Sequence, residues 1–267
     1  MKKLLWIILS AMVCGNAKAQ KLPNKQVVGI RMPPNLKIDG KATEWNNKLQ
    51  AYNKAIEASY TIANDDKYLY LILQATDRDI IHKIINSGVS FNINTIAKKN
   101  DKDGITITYP RLGRDNRPSI NLKNTPVWSS KPEVAKMQAD SFMNANNTQI
   151  ISKVKEIKTR GVKDVDSLIS IYNQNGIKAA GLFDNKMAFT IEMAVDLKLL
   201  NADGTTPQKL TYNIKLNALA IDYLPGVNIV RNANNEIMSI SVVKEGSGGN
   251  QTVSADTDFW GEYILAK

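Results

Sequence analysis

Cysteine and histidine are almost absent from this sequence, because the 267 residues include only Cys14 and His82. A single cysteine cannot form an intrachain disulfide, and a zinc site needs several Cys or His ligands that the chain does not supply. No G-x-S-x-G motif surrounds a serine, and no glycine-rich phosphate loop is followed by Lys-Ser or Lys-Thr. These absences predict that the protein is not an enzyme. A pair of carboxylates acting across a groove, as in glycosidases, has no sequence motif, so that alternative stays open.

Long hydrophobic runs are absent after the opening "MKKLLWIILSAMVCGNAKAQ". This segment begins with a basic region of Lys2 and Lys3, continues with an apolar run over Leu4–Val13 that is too short to span a bilayer, and has an Ala-Lys-Ala sequence that ends at Ala19. The pattern predicts a secretory signal peptide over residues 1–19, cleaved between Ala19 and Gln20, and hence a periplasmic or extracellular protein without a membrane span. Lipidation at Cys14 is an alternative that the bulky valine before it disfavours.

Acidic residues are the minority among the charged ones, with 25 Asp and Glu against 35 Lys and Arg, for a net charge of +10. The basic residues are dispersed along the chain, and the densest runs, "IAKKNDK" and "KTRGVK", are interrupted. A nucleic-acid surface would need clustered basic residues with interleaved aromatics. The charge therefore predicts a soluble surface and no nucleic-acid partner.

Strand-like segments dominate the rest of the chain. The runs Ser59–Ala63 and Tyr68–Ala75 are joined by Asn-Asp-Asp-Lys, which predicts a hairpin. Because Tyr68–Ala75 is almost continuously apolar, we expect a central strand that is buried on both faces. "KAAGLFDNKMAFTIEMAV" predicts a second hairpin, turned at Asp184-Asn185. The other predicted strands are Val27–Ile30, Leu36–Ile38, Val89–Thr95, Ile105–Pro110, Leu210–Ile221, Ile237–Val243 and Asp258–Lys267.

Helical patterns are few. "DRDIIHKIINSG" has isoleucines at helical spacing and Gly88 at the C-cap, Pro132–Asn144 begins with a proline, and Leu197–Leu200 fits one helical turn. "TQIISKVKEIKT" fits either a helix or a strand. About ten short strands with turn residues between them predict a mainly β fold, a single antiparallel β-sandwich with two or three short inserted helices over residues 20–267.

Aromatic residues are also scarce, and they provide the candidate ligand site. Trp45 and Trp260 lie in or beside apolar segments, which predicts core positions. Trp128 lies in the loop "NTPVWSSKPE", and Tyr109 and Arg111 stand at the start of the same connection. An exposed tryptophan there can stack on a sugar ring, whereas the alternative is that Trp128 folds back as a lid on the sandwich.

Metal ligands are weakly represented. Asp101, Asp103 and Gly104 resemble part of a calcium loop, but the flanking positions hold Lys99 and Pro110 where an EF-hand needs acidic ligands. We predict no metal site there and no cofactor. A structural calcium bound by Asp-rich turns elsewhere in an exported sandwich stays open.

Four segments, in order, carry a resemblance: "LKIDGKATEW", "YTIANDDKYLYLILQATD", "MAFTIEMAVDLKLL" and "FWGEYILAK". The chain resembles the family 9 carbohydrate-binding-module-like group of DOMON-type β-sandwiches. "IYNQNGIKAA" resembles a segment of exported, uncharacterised Bacteroidetes-type proteins. Some DOMON relatives bind haem through Met and His ligands, but His82 is the only histidine, so haem is not expected. The resemblance implies an exported, non-catalytic carbohydrate-binding module. The alternative is a cell-envelope module that binds a protein partner.

Overall fold

The computed structural model describes residues 21–95, 99, 102–113, 116–122, 129–202, 208–220, 227–234, 236–242 and 254–267. The predicted signal peptide and Trp128 therefore lie outside the described residues. The described chain is mainly β, with antiparallel sheets and two α-helices, which confirms the predicted β-sandwich class.

Fourteen strands are present among the described residues. They are β1 Ile30–Arg31, β2 Ala51–Asn53, β3 Ala58–Asn64, β4 Tyr68–Ala75, β5 Val89–Asn94, β6 Ile105–Arg111, β7 Glu156–Arg160, β8 Leu168–Ser170, β9 Ile177–Phe183, β10 Phe189–Asp196, β11 Lys209–Leu216, β12 Val227–Arg231, β13 Ile237–Val242 and β14 Thr257–Ile264. The first sheet has the order β1-β3-β4-β10-β9, with β2 paired to β3. The second sheet has the order β14-β11-β5-β6-β7-β8, and β12 and β13 form a separate hairpin. Within the described ranges every strand pairing is antiparallel except that of β1 with β3.

The helices begin and end where local chemistry allows. Helix α1 spans Arg78–Ser87, with Asp77 capping its first turn and Gly88 ending it at φ 81°. Helix α2 spans Pro132–Lys153, so the ambiguous segment divides into the end of this helix and strand β7. A 3₁₀ turn follows β10 over Leu197–Leu200, as predicted. Neither α-helix in the described ranges combines the length and the apolar composition needed to cross a bilayer.

The main core lies between the two sheets. Alternate residues of most strands in the two sheets enter it, and the fully buried Tyr60 and Tyr212 meet within it with their hydroxyls 2.9 Å apart. The Tyr60 ring also packs 5.1 Å from the Phe259 ring, centroid to centroid, so strands of both sheets meet in one aromatic cluster. Each hydroxyl is a hydrogen-bond partner for the other, and a buried polar group without a partner would cost free energy.

A second, smaller core covers the outside of the first sheet. Leu36–Ile38 was predicted as a strand, but that prediction is wrong, because these residues pair with no strand. Instead Trp45 and its neighbours pack against Tyr70 and Ile72 of β4. Strand β4 is therefore buried on both faces, which confirms the interpretation of its apolar run.

The carboxylate of Glu192 links this second core to the first sheet through three hydrogen bonds. Glu192 of β10 accepts hydrogen bonds from the backbone N–H groups of Asp39 and Gly40 at 3.0 and 2.9 Å and from the Trp45 indole at 2.9 Å. Gly40 has φ 81°, and a Cβ there would lie 2.7 Å from the backbone of Gly181. The segment "IDGKATEW" thus needs its glycine for close approach and its tryptophan as a hydrogen-bond donor.

The stability of the protein is expected to depend on pH through Glu192. Burial raises the pKa of Glu192 from 4.5 to about 7, although its three N–H donors act in the opposite direction. The folded state then binds more protons than the unfolded state between these values, so the unfolding free energy falls as the pH rises through this window. Relative to Glu192→Gln, which does not titrate, we expect the protein to lose up to about 3 kcal/mol from about pH 4 to pH 8 in urea titrations. Parallel curves for the two proteins would contradict this.

Candidate functional site

The outer face of the second sheet is polar across its central strands β11, β5 and β6. Two rows of register partners cross it. The first row is Trp260, Asn213, Asn92, Thr106 and Arg160, and the second is Asp258, Lys215, Ser90, Thr108 and Lys158. From β14 to β7 each row crosses four strand spacings, about 19 Å. A face without an apolar side chain in its central strands needs no covering layer, unlike the outer face of the first sheet.

Hydrogen bonds between neighbouring strands hold the middle of this face in place. Asn92 donates to the Thr106 hydroxyl at 2.9 Å, and the hydroxyls of Ser90 and Thr108 are 2.8 Å apart. Asn213 donates to Asp258 in the adjacent strand. Because the partners are fixed by the sheet, these hydroxyl and amide groups are pre-oriented rather than mobile.

A cleft of about 400 Å³ lies over these rows, and we name it the polar cleft. Its described lining is entirely polar and contains four cations but no carboxylate. The lining residues are Ser87, Ser90, Asn92, Thr106, Thr108, Arg111, Lys158, Thr159, Arg160, Asn213, Lys215 and Asn217. Asn92 and Asn213 are buried at its floor, whereas Arg111, Lys158 and Arg160 are exposed at its rim. The cleft is therefore a hydrogen-bonding floor with a positive rim.

A second depression is lined by Trp260, the register partner of Asn213 in the polar cleft, and we name it the tryptophan cleft. Its volume is about 860 Å³, and its lining includes the half-buried Trp260 together with Lys25, Lys99 and Lys209. Lys209 forms an ion pair with Glu262 at 2.9 Å, and the pKa of the Glu262 carboxyl is lowered chiefly by this lysine. The described linings of the two clefts together contain seven cations, the half-buried Trp260 and the buried Tyr263.

Of the three site residues predicted from the sequence, the structure describes Tyr109 and Arg111, and these two do not form a stacking platform. Tyr109 lies in the core, 3% exposed, and burial raises the pKa of its hydroxyl. Its ring therefore has no face open to a ligand. Arg111 is exposed at the rim of the polar cleft, and its guanidinium donates to the Leu112 carbonyl. Trp128 lies outside the described residues, so its role as a sugar platform stays a prediction.

Trp260 was predicted to lie in the core, and the structure corrects this. Strand β14 alternates, so Phe259 and Tyr263 enter the core while Trp260 and Glu262 face outward. The floor of the polar cleft was also missed. The sequence does contain a signal for it, which is an alternation of polar residues in two strands. Ser90 and Asn92 in β5, and Thr106 and Thr108 in β6, are two positions apart, so each pair shares a face.

Metal-binding clusters are absent from the described part of the chain. No group of three or more His, Cys, Asp or Glu side chains there is close enough to hold a metal ion. No family model matches this sequence. No curated protein is significantly similar to it either.

Proposed function

We propose that this protein is an exported, non-catalytic binding module whose ligand is a carbohydrate, bound on the outer face of the second sheet. The observation that carries the proposal is the row from Trp260 to Arg160, which combines an aromatic ring with fixed amide and hydroxyl groups. Sugar rings present apolar faces and hydroxyl edges, and such a surface can contact both. The resemblance to family 9 carbohydrate-binding-module-like sandwiches supports the same function.

The non-catalytic part of the proposal is supported by the chemistry of the clefts. Glycoside hydrolysis uses two carboxyl groups that flank the scissile bond. The polar cleft has no carboxylate in its described lining, and Glu262 is the acidic residue in the described lining of the tryptophan cleft. Glu262 is paired with Lys209. The surface is thus better suited to holding a sugar chain than to cleaving it.

Replacing Trp260 with alanine is expected to weaken oligosaccharide binding about tenfold or more, because an aromatic platform contributes on the order of 1–2 kcal/mol. Isothermal titration calorimetry with a panel of oligosaccharides measures the change. Tyr52→Ala is the matched control, since Tyr52 is an exposed aromatic residue in the first sheet. Trp128→Ala in the same titration tests the platform predicted from sequence. Unchanged affinity in Trp260→Ala would contradict the proposed site.

A specific observation favours the second candidate, an envelope module with a protein partner. The β12–β13 hairpin exposes Val230, Met238 and Ile240 by 56%, 67% and 48%. An isolated two-stranded hairpin is marginal in water, so a partner surface would stabilise it. Replacing these three residues with serine should then abolish a stable complex with an envelope protein while sugar binding persists. Loss of sugar binding in the same variant would contradict this separation.

A further inference from the structure

We infer that the ligand of the polar cleft is an acidic polysaccharide, a sugar chain bearing carboxylate or sulfate groups. This inference rests on the proposed carbohydrate-binding function and specifies its substrate class. It begins from the composition of the cleft, whose described lining has four cations, no carboxylate and no aromatic ring. A neutral sugar would find hydrogen-bond partners there, but it would leave the cations without a function.

The cations are separated by a spacing that suits a chain with repeated charges. In the second row Lys215 and Lys158 lie on either side of Ser90 and Thr108, and Asp258 follows Lys215 at the end of the row. Three strand spacings separate the two lysines, about 14 Å. Arg160 follows Lys158 two residues later on the same face, about 7 Å along the strand. Cations at these intervals, with hydroxyl groups between them, suit a polymer of charged sugar units better than a single small anion.

Two of the three rim cations, Lys158 and Arg111, are available to a ligand, whereas the Arg160 guanidinium donates to the Thr106 hydroxyl at 3.1 Å. Lys158 is exposed, and the hydrogen bonds and ion pairs found among the described residues do not involve its ammonium. The Arg111 guanidinium donates to a neutral carbonyl, so its charge is not compensated by that contact. Lys215 is the partly compensated member, since its Nζ lies 3.3 Å from a carboxylate oxygen of Asp256.

Acidic residues border the face without entering the cleft. Asp258 accepts from Asn213, Asp256 pairs with Lys215, and Glu156 is the register neighbour of Arg111 on β7. Asp258 lies at the end of the second row, Asp256 and Glu156 lie beside cations of the cleft, and none of the three carboxylates is in the described lining of the cleft. They also provide acceptors for hydroxyl groups at the margins of a bound sugar chain. The arrangement selects an anion that still carries many hydroxyls, which is the chemistry of an acidic polysaccharide.

The test is calorimetric titration of the protein with oligogalacturonate for carboxylates, heparin-derived hexasaccharide for sulfates, neutral xylohexaose, and single-stranded oligothymidylate as an unrelated polyanion. We expect one of the two acidic oligosaccharides to bind most tightly and to weaken with added salt. Lys158→Ala combined with Arg160→Ala should reduce that affinity about tenfold or more, since hydrogen bonds to charged groups are the strong ones. The matched control is Lys54→Ala with Lys186→Ala, which removes the same charge from exposed positions around the first sheet.

The outcomes separate this inference from the function on which it rests. Neutral xylohexaose bound as tightly as the acidic sugars, with no effect of the double variant, would overturn the inference and leave carbohydrate binding intact. Preference for oligothymidylate would overturn it in favour of nucleic acid. Binding of no sugar, by a sample whose unfolding transition is cooperative, would overturn both. Equal losses of affinity in the double variant and its control would show that the effect comes from net charge alone. That result would also overturn the assignment of the ligand to the polar cleft.

Discussion

Replacing Glu192 with alanine is expected to lower the free energy of unfolding by about 3 kcal/mol, because it leaves three N–H donors without their acceptor. The donors of Gly40 and Trp45 are buried, so water cannot fully replace the carboxylate. The loss should be larger below about pH 5, where the folded state holds this carboxyl in its protonated form, than at about pH 8. Urea denaturation followed by far-ultraviolet circular dichroism measures both values.

Glu44→Ala is the control for this prediction. Glu44 lies in the same segment but is half-buried at most, and its carboxylate accepts from the neighbouring Thr43 hydroxyl. Its replacement should change the unfolding free energy by less than about 0.5 kcal/mol. Similar losses of unfolding free energy in both variants would show that any substitution in this segment is destabilising. The hydrogen bonds accepted by Glu192 would then not explain the loss.

Gly261→Ala is expected to destabilise the protein by about 3 kcal/mol or more, because overpacking a filled core forces side chains and backbone apart. A Cβ at this position would overlap the ring of Tyr212, the register partner of Gly261 in β11, and would lie 2.7 Å from its Cε1. The ring cannot yield easily, since its hydroxyl is bonded to Tyr60 within the main core. Thermal unfolding of the variant measures the loss.

Gly113→Ala provides the matched control, since a Cβ there meets no atom of the described residues within 4 Å. It should leave the thermal midpoint nearly unchanged. Combining Gly261→Ala with Tyr212→Leu should restore part of the lost stability relative to the sum of the single effects, because the smaller side chain makes room for the methyl group. Strict additivity in the double variant would contradict the proposed clash.

Much of the fold could be predicted from local patterns. The hairpin of β3 and β4 and that of β9 and β10 have turn residues between β-rich runs, and α1 has both of its caps in the sequence. Each of these signals lies within about twenty residues, so no knowledge of distant contacts is needed. Leu36–Ile38 was wrongly predicted to be a strand, because an alternation of apolar and polar residues looks the same whether the segment pairs with a strand or packs on a sheet.

The candidate site was harder to predict because its residues come from separate strands. Lys158, Arg160 and Lys215 are dispersed in the sequence, and only strand register aligns them across the second sheet. Trp260 sits between apolar neighbours, so composition alone places it inside, whereas the alternation of β14 turns it outward. Long-range pairing is the information that a single sequence lacks.

The two sheets of this sandwich differ in how freely they can change during evolution. The outer face of the first sheet is occupied by Trp45 and its neighbours, so substitutions there alter packing and stability together. The outer face of the second sheet has no such layer, and its central side chains contact one another through polar groups. Substitutions at exposed positions such as Lys158 and Arg160 should therefore cost little stability. Related chains could diversify what they recognise on this face while the remainder of the sandwich stays constant.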